Sequence, residues 1–78
     1  MDEREKKALD LCNSKIAEYN LAMELKDVKY EDDKIIFSFV FTKNEILDLR
    51  DLAKYLAVTF NMRVELRQAE YDMANLTV

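Results

Sequence analysis

The chain has 78 residues, of which 50% are hydrophobic and 36% are charged, and this composition is typical of one small globular domain. It has no His, no Gly and a single Cys, which excludes His-based catalytic triads, glycine-rich phosphate loops and zinc or iron–sulfur sites built by one chain. We therefore expect no enzyme activity, no metal and no cofactor, and the net charge of −4 argues against a polycation made for nucleic acid.

The first part of the chain carries the pattern of one helix followed by one strand. Residues 3–20 have apolar side chains at three- and four-residue steps, which predicts a helix that buries Cys12. Asn20 is expected to end that helix, since Asn tolerates the left-handed backbone conformation. Charged and apolar residues alternate over 24–31, which predicts a strand, and the two aspartates that follow are expected to form a turn.

The clearest strand covers residues 35–42, and it is apolar on both faces. One face carries Ile35, Phe37, Phe39 and Phe41. The other face carries Ile36, Ser38 and Val40. Apolar residues on both faces predict a central strand of the sheet.

A second helix is expected after a loop at 42–47. Asp48 has a side chain suited to the N-cap, and apolar residues recur at helical spacing from there to Thr59. The expected buried stripe consists of Leu49, Leu52, Ala53, Leu56 and Phe60. Because this stripe and the aromatic strand face are the largest apolar surfaces in the sequence, we expect Phe37, Phe39 and Leu56 to share the core.

The last predicted strand covers residues 62–68, where apolar and charged residues alternate. Met62, Val64 and Leu66 are expected to face inward, and Arg63, Glu65 and Arg67 outward. The order α-β-β-α-β predicts an α+β fold, a single two-layer α/β sandwich with both helices on one face of a small sheet. Residues 1–78 are treated as one domain with a short C-terminal tail, for which a helical turn and an edge strand both remain open.

Four strings of the sequence together resemble a known family. They are M-E-L-K-D-V-K-Y at 23–30, the aromatic strand at 35–42, D-L-R-D-L at 48–52 and R-V-E-L-R-Q at 63–68. Over residues 6–68 the chain is similar to the polymerase suppressor protein C-terminal domain family. It departs from the family pattern in having Lys-Asn-Glu where an Asp-Gly turn is usual before the second helix, and in lacking the family's Gly and Arg after the last strand.

Members of that family are implicated in RNA metabolism. They include a kinetoplastid protein that recognises a cycling sequence in messenger RNA, and a bacterial subunit of a complex that assists RNA maturation. The resemblance therefore implies a binding or adaptor role near RNA, without an enzyme activity. The cysteine-bearing flanks of the bacterial subunits are missing here, so their iron–sulfur role does not carry over.

The arginines of the last strand are the expected binding site for RNA or a partner, together with Gln68 at its end. Arg63 and Arg67 lie two residues to either side of Glu65, and two guanidiniums on an exposed sheet face can hold phosphates or stack on bases. The alternative is that they pair with Glu65 and with charged residues of the first strand. Arg50, at the start of the second helix, would either extend this basic group or hold Glu65.

Three apolar residues are the expected protein interface. Tyr55 falls off the buried stripe of the second helix, as does Val58, and Ile36 and Val40 lie on the sheet face away from the helices. Exposed apolar groups of this kind commonly mark a partner surface. The alternative is that the C-terminal tail folds back and covers them.

Two functions therefore remain open. One is a small adaptor domain associated with RNA or with an RNA-processing complex, which follows from the resemblance and the arginines. The other is a pure protein-interaction module, such as a regulator or a viral-type inhibitor that imitates a larger family member, which follows from the negative charge and the missing flanks. A protein partner or a homodimer is expected. The absence of a long apolar run and of a signal peptide, with the single Cys, predicts a cytoplasmic protein without membrane contact.

Overall fold

The computed structural model describes residues 2–69, and its elements follow the predicted order. They are α1 (Glu3–Glu18), β1 (Met23–Glu31), β2 (Lys34–Phe41), α2 (Arg50–Phe60) and β3 (Arg63–Gln68). Each boundary lies within two residues of its expected position. The tail after residue 69, for which the sequence left two structures open, lies outside the described residues.

The first helix is fixed at both ends by side chains and backbone that suit its termini. At the start, the Asp2 carboxylate accepts a hydrogen bond from the Glu5 backbone N–H at 2.9 Å, and the Glu5 side chain accepts one from the Asp2 N–H at 3.1 Å. This reciprocal capping box satisfies two N–H groups that a helix leaves without partners. At the other end, Asn20 has a positive φ of 53°, which confirms the predicted stop.

The sheet has the order β1-β2-β3, so the aromatic strand is central, as predicted. β1 and β2 are antiparallel and are joined by the two-aspartate turn, whereas β3 is parallel to β2 because the chain crosses back through α2. β1 contains a bulge that was not predicted, since the pairing register shifts between Leu25 and Asp27 and leaves Lys26 unpaired.

Both helices pack on one face of the sheet and bury a single core. α1 lies against β1 and α2 against β3. Phe37, Phe39 and Leu56 share this core, as expected, and Phe37 and Leu56 are fully buried. Cys12 is also fully buried, and burial raises the pKa of its thiol to about 11, so it stays protonated at neutral pH and packs as a small hydrophobic side chain.

The second helix begins one residue later than predicted, because its N-cap is Leu49 and not Asp48. Arg50 is its first residue and Leu49 is the capping residue, whose carbonyl accepts the first helical hydrogen bond from Ala53 N–H at 2.9 Å. Leu47 and Leu49 both pack against the core, and the Asp48 carboxylate accepts a hydrogen bond from the Arg50 N–H at 3.1 Å, so apolar packing and this side-chain contact together position the turn. The helix ends at Asn61, which has a φ of 52° and is the second positive-φ residue of a chain without Gly.

We predict that Phe39→Ala lowers the free energy of unfolding by about 3–5 kcal/mol, because it removes a buried ring and leaves a cavity. Phe39 is 4% exposed, and its ring packs edge-on against Phe41 with 5.1 Å between centroids. Denaturant titration measures the loss. The control is Val58→Ala, at a helix position that is 73% exposed, where we expect a change within about 0.5 kcal/mol. A Phe39→Ala protein as stable as this control would contradict the assigned strand facing.

Candidate binding surface

The sheet face opposite the helices, called the open face, carries charged residues from all three strands in three aligned rows. The register across β1, β2 and β3 sets these rows, each listed from β1 to β3. They are Glu31–Lys34–Arg63, Lys29–Ile36–Glu65 and Asp27–Ser38–Arg67. Neighbours within a row are close enough for their side chains to interact directly.

The two arginines of β3 point to different carboxylates rather than to a shared site. The Arg63 Nη1 lies 3.0 Å from an Asp33 carboxylate oxygen in the β1–β2 turn, and the Arg67 Nε lies 2.6 Å from a Glu65 oxygen. Four residues of strand separate their Cα atoms by about 13 Å. Their guanidiniums therefore do not form the neighbouring pair that the sequence predicted, and Arg63 is paired with the turn instead of with β1.

Glu65 is the centre of the charge network on this face. One of its carboxylate oxygens accepts a hydrogen bond from Lys34 Nζ at 2.8 Å, and the other accepts one from Arg67 at 2.6 Å. Lys34 and then Arg67 hold the pKa of Glu65 below its usual range. Lys34 was missed in the sequence because its role depends on the parallel pairing of β2 with β3, which places it two residues from Glu65 across the sheet.

The exposure expected of Ile36 is wrong, and that of Val40 holds only in part. Ile36 is 3% exposed although it lies outside the helix-side core cluster, and Val40 is half-buried. In the sheet, Ile36 lies between Lys29 and Glu65, whose long aliphatic stems can cover an apolar neighbour while their charged ends stay in water. The role of Ile36 and Val40 in a protein interface stays a prediction, without the wide apolar surface on which it was based.

Arg50 belongs to a separate ion pair on the helix layer. Its guanidinium donates from Nε to one oxygen of Asp48 at 3.0 Å and from Nη2 to the other at 2.7 Å. This fork-like contact lowers the pKa of Asp48 to about 2. Arg50 therefore neither holds Glu65 nor extends the charges of β3.

Tyr55 is half-buried between the helices, so the expectation that it is exposed is also wrong. The Lys15 ammonium lies 4.3 Å from the centre of the Tyr55 ring and bonds the Glu18 carboxylate at 2.9 Å. This cation–π contact, made by a lysine that also forms an ion pair, links α1 to α2. Among residues 2–69, the most exposed large hydrophobic residues are Ile46 in the loop before α2, which has no measurable burial, and Val58 of α2, whose exposure was expected.

Gln68 ends β3 beside the loop that follows β2. It is exposed and lines a shallow depression of about 370 Å³ together with residues 41–45. The depression is open to solvent at the edge of the sheet, where β2 and β3 both end. The assignment of Gln68 to a binding site stays a prediction.

Residues 2–69 contain no group of three or more Cys, Asp or Glu side chains arranged to hold a metal ion. Every buried side chain in this part of the chain is hydrophobic. Over the same residues, neither helix has the length and hydropathy needed to cross a bilayer.

The fold and the surface together define the class of protein. It is a small α+β domain with a hydrophobic layer between helices and sheet and with an open face of paired charges. A family model, the PSP1 C-terminal conserved region, matches residues 1–69, so the chain belongs to this family. This confirms the resemblance found in the sequence.

Among curated proteins, the chain is similar to Stage 0 sporulation protein YaaT of Bacillus subtilis, with 43% identity over 61 residues. The aligned part is 78% of this chain and 22% of that protein, so the chain spans about a fifth of the length of the relative. No solved structure gives a significant match.

We predict that the Glu65 carboxyl titrates below 4.5 in the folded protein and that Lys34→Ala raises this midpoint. Because folding lowers the pKa of Glu65, its ionised carboxylate stabilises the fold at pH values above the ordinary pKa range of Glu. This stabilisation is lost as the pH falls through the pKa of the folded state. Carboxyl-carbon NMR measures the midpoint. Lys26→Ala is the matched control, because Lys26 pairs with Glu24 and not with Glu65. A wild-type midpoint at or above 4.5 would contradict the role assigned to Lys34.

Proposed function

We propose that this chain is a small, non-enzymatic adaptor domain that joins an RNA-processing complex through contacts with protein. Membership of the family supports the association with RNA metabolism that the resemblance implied. The lack of His and the hydrophobic nature of every buried side chain in residues 2–69 support a binding role. The proposal also retains the cytoplasmic location expected from the sequence.

The observation that favours protein over RNA as the direct ligand is the state of the arginines. The chain has four, and the guanidinium of each lies within 3.6 Å of a carboxylate oxygen. The partners are Asp2 for Arg4, Asp48 for Arg50, Asp33 for Arg63 and Glu65 for Arg67. Phosphate groups would have to compete with these local carboxylates, on a protein whose net charge is −4.

Direct RNA binding is kept as a second candidate because of one specific feature. The side chains of Arg63 and Arg67 are 77% and 53% exposed. Exposed ion pairs contribute little to stability, so a phosphate could replace Asp33 or Glu65 at small cost. Under this alternative the same two arginines grip the RNA backbone.

The length of the relative suggests how such a domain is used. The aligned region is 22% of YaaT, so a protein of that kind has surfaces outside this domain. A pure protein-interaction module, which imitates a larger family member and occupies its partner, uses the same surfaces. The two uses differ in whether the chain enters an RNA-processing complex or blocks its assembly.

The test combines a direct RNA measurement with capture of partners. We expect the purified chain to show no salt-dependent binding to a 20-nucleotide single-stranded RNA, measured by fluorescence anisotropy. Proteins captured from a native lysate should remain bound after ribonuclease treatment. Components of one RNA-processing complex among them support the adaptor role, whereas a partner held apart from its complex supports the imitating module.

The matched variants decide between protein and RNA. If Arg63→Ala/Arg67→Ala abolishes RNA binding and lowers the salt slope by about one to two units, the direct RNA alternative is correct. Lys6→Ala/Lys7→Ala removes the same charge from exposed positions of α1 and is the control. Equal loss in both double variants would mean that the binding is non-specific.

A further inference from the structure

Within residues 2–69, β3 is an edge strand with a free row of backbone hydrogen-bonding groups. β2 pairs with one side of it, and the Ala69 N–H donates to the Phe39 carbonyl in continuation of that pairing. Backbone groups alternate in direction along a strand, so the N–H and C=O groups of Val64, Leu66 and Gln68 point away from β2. The strand has no bulge to disturb this edge, in contrast to β1.

The width of the two layers leaves space beside β3. Three strands at about 4.8 Å spacing make a sheet roughly 14 Å wide, whereas two packed helices need about 20 Å. α2 packs on β3, and the apolar residues around this contact are only half-buried, namely Phe60 at the end of α2, Met62, and Val64 and Leu66 on the β3 side. On the same face of β1, Met23, Leu25 and Val28 are buried and Tyr30 is half-buried. The helices therefore cover the apolar side chains of β3 less completely than most of those of β1, as expected if the sheet is narrower than the helix layer on that side.

The charges along this edge indicate what fits there. On the open face β3 presents Arg63, Glu65 and Arg67, the sequence basic, acidic, basic. These three residues carry two positive charges and one negative charge, a net of +1 on a chain whose net charge is −4. A strand with acidic, basic and acidic side chains at alternate positions would place opposite charges directly across from each of them.

We propose that the outer edge of β3 binds an extended segment of a partner protein as a fourth strand. The segment has acidic, basic, acidic side chains on the open face and apolar side chains between them, which fill the space under α2. A second copy of the domain does not fit as well, because its own helices would need the space that α2 already covers. This proposal specifies the surface for the protein contact in the proposed function and rests on that function.

The chain contains a sequence with this pattern, which serves as a probe. In a peptide with the sequence of Met23–Glu31, Glu31, Lys29 and Asp27 would stand opposite Arg63, Glu65 and Arg67. Its Tyr and Val at positions 30 and 28 would then stand opposite Val64 and Leu66. Detached from α1, the peptide has no helix to collide with α2.

The experiment is a titration of the full chain with this peptide, followed by NMR and amide hydrogen exchange. We expect saturable shifts at Val64, Leu66 and Gln68 and slower exchange of their amides in the complex. The proposal is overturned if no saturable shift occurs up to millimolar peptide, or if the shifts map to α1 or to the open face around Val40. It is also overturned if these three amides are already protected in the free full chain, because the edge is then occupied from within.

A charge exchange tests the register without altering the core. Against Arg63→Glu/Arg67→Glu, the original peptide should bind at least about tenfold more weakly, because two attractive cross-strand pairs become repulsive. A peptide with Lys in place of Asp27 and Glu31 should show the opposite preference. Lys6→Glu/Lys7→Glu has the same net charge and should not improve binding of the basic peptide. If the two double variants behave alike, only net charge is recognised and the proposal is wrong.

Both experiments use purified components without RNA, so their result is independent of the capture test. If the peptide binds the β3 edge specifically but no RNA-processing protein is captured, the β3 binding surface is supported and the adaptor role is wrong. If the peptide does not bind the β3 edge but RNA-processing proteins are captured, the adaptor role stands and its protein contact lies elsewhere on the chain.

Discussion

The structure depends on the burial of one face of β2 beneath two helices. Ile35 and Phe37 have no exposed surface, and they lie in the core with side chains from both helices, among them Cys12 and Leu56. A chain of 78 residues can bury only a limited share of its surface, so this single layer has to supply most of the hydrophobic stabilisation. The antiparallel contact with β1 and the parallel contact with β3 both form on the strand that this layer positions.

The opposite face of the same strand follows a different rule. Its apolar Ile36 is buried between Lys29 of β1 and Glu65 of β3, and Glu65 is held by Lys34 and Arg67. Ion pairs that remain partly in contact with water contribute little stability each, but their arrangement gives the surface a definite pattern of charge. The helix side thus determines whether the chain folds, and the sheet side and its edge determine what it can contact.

Most of the fold could be predicted because its signals are local. Helical spacing gave both helices, alternation gave the strands, and Asn20 gave the end of α1. The bulge at Lys26 also leaves a trace, since Lys26 and Asp27 are two consecutive polar residues between Leu25 and Val28, both of which are buried. The surface was predicted less well, because ion pairing such as Lys34 with Glu65 depends on register across the sheet. The burial of Ile36 and Tyr55 likewise depends on which residues the fold places beside them.

The position of Cys12 gives the chain a built-in reporter of its own opening. The thiol is fully buried in the centre of the α1 contact with the sheet, and its raised pKa keeps it in the unreactive protonated form. A thiol reagent can therefore modify the folded chain only during excursions that separate α1 from the sheet, so the labelling rate measures how often those excursions occur. With no other cysteine in the sequence, that rate refers to one site without any engineering of the protein.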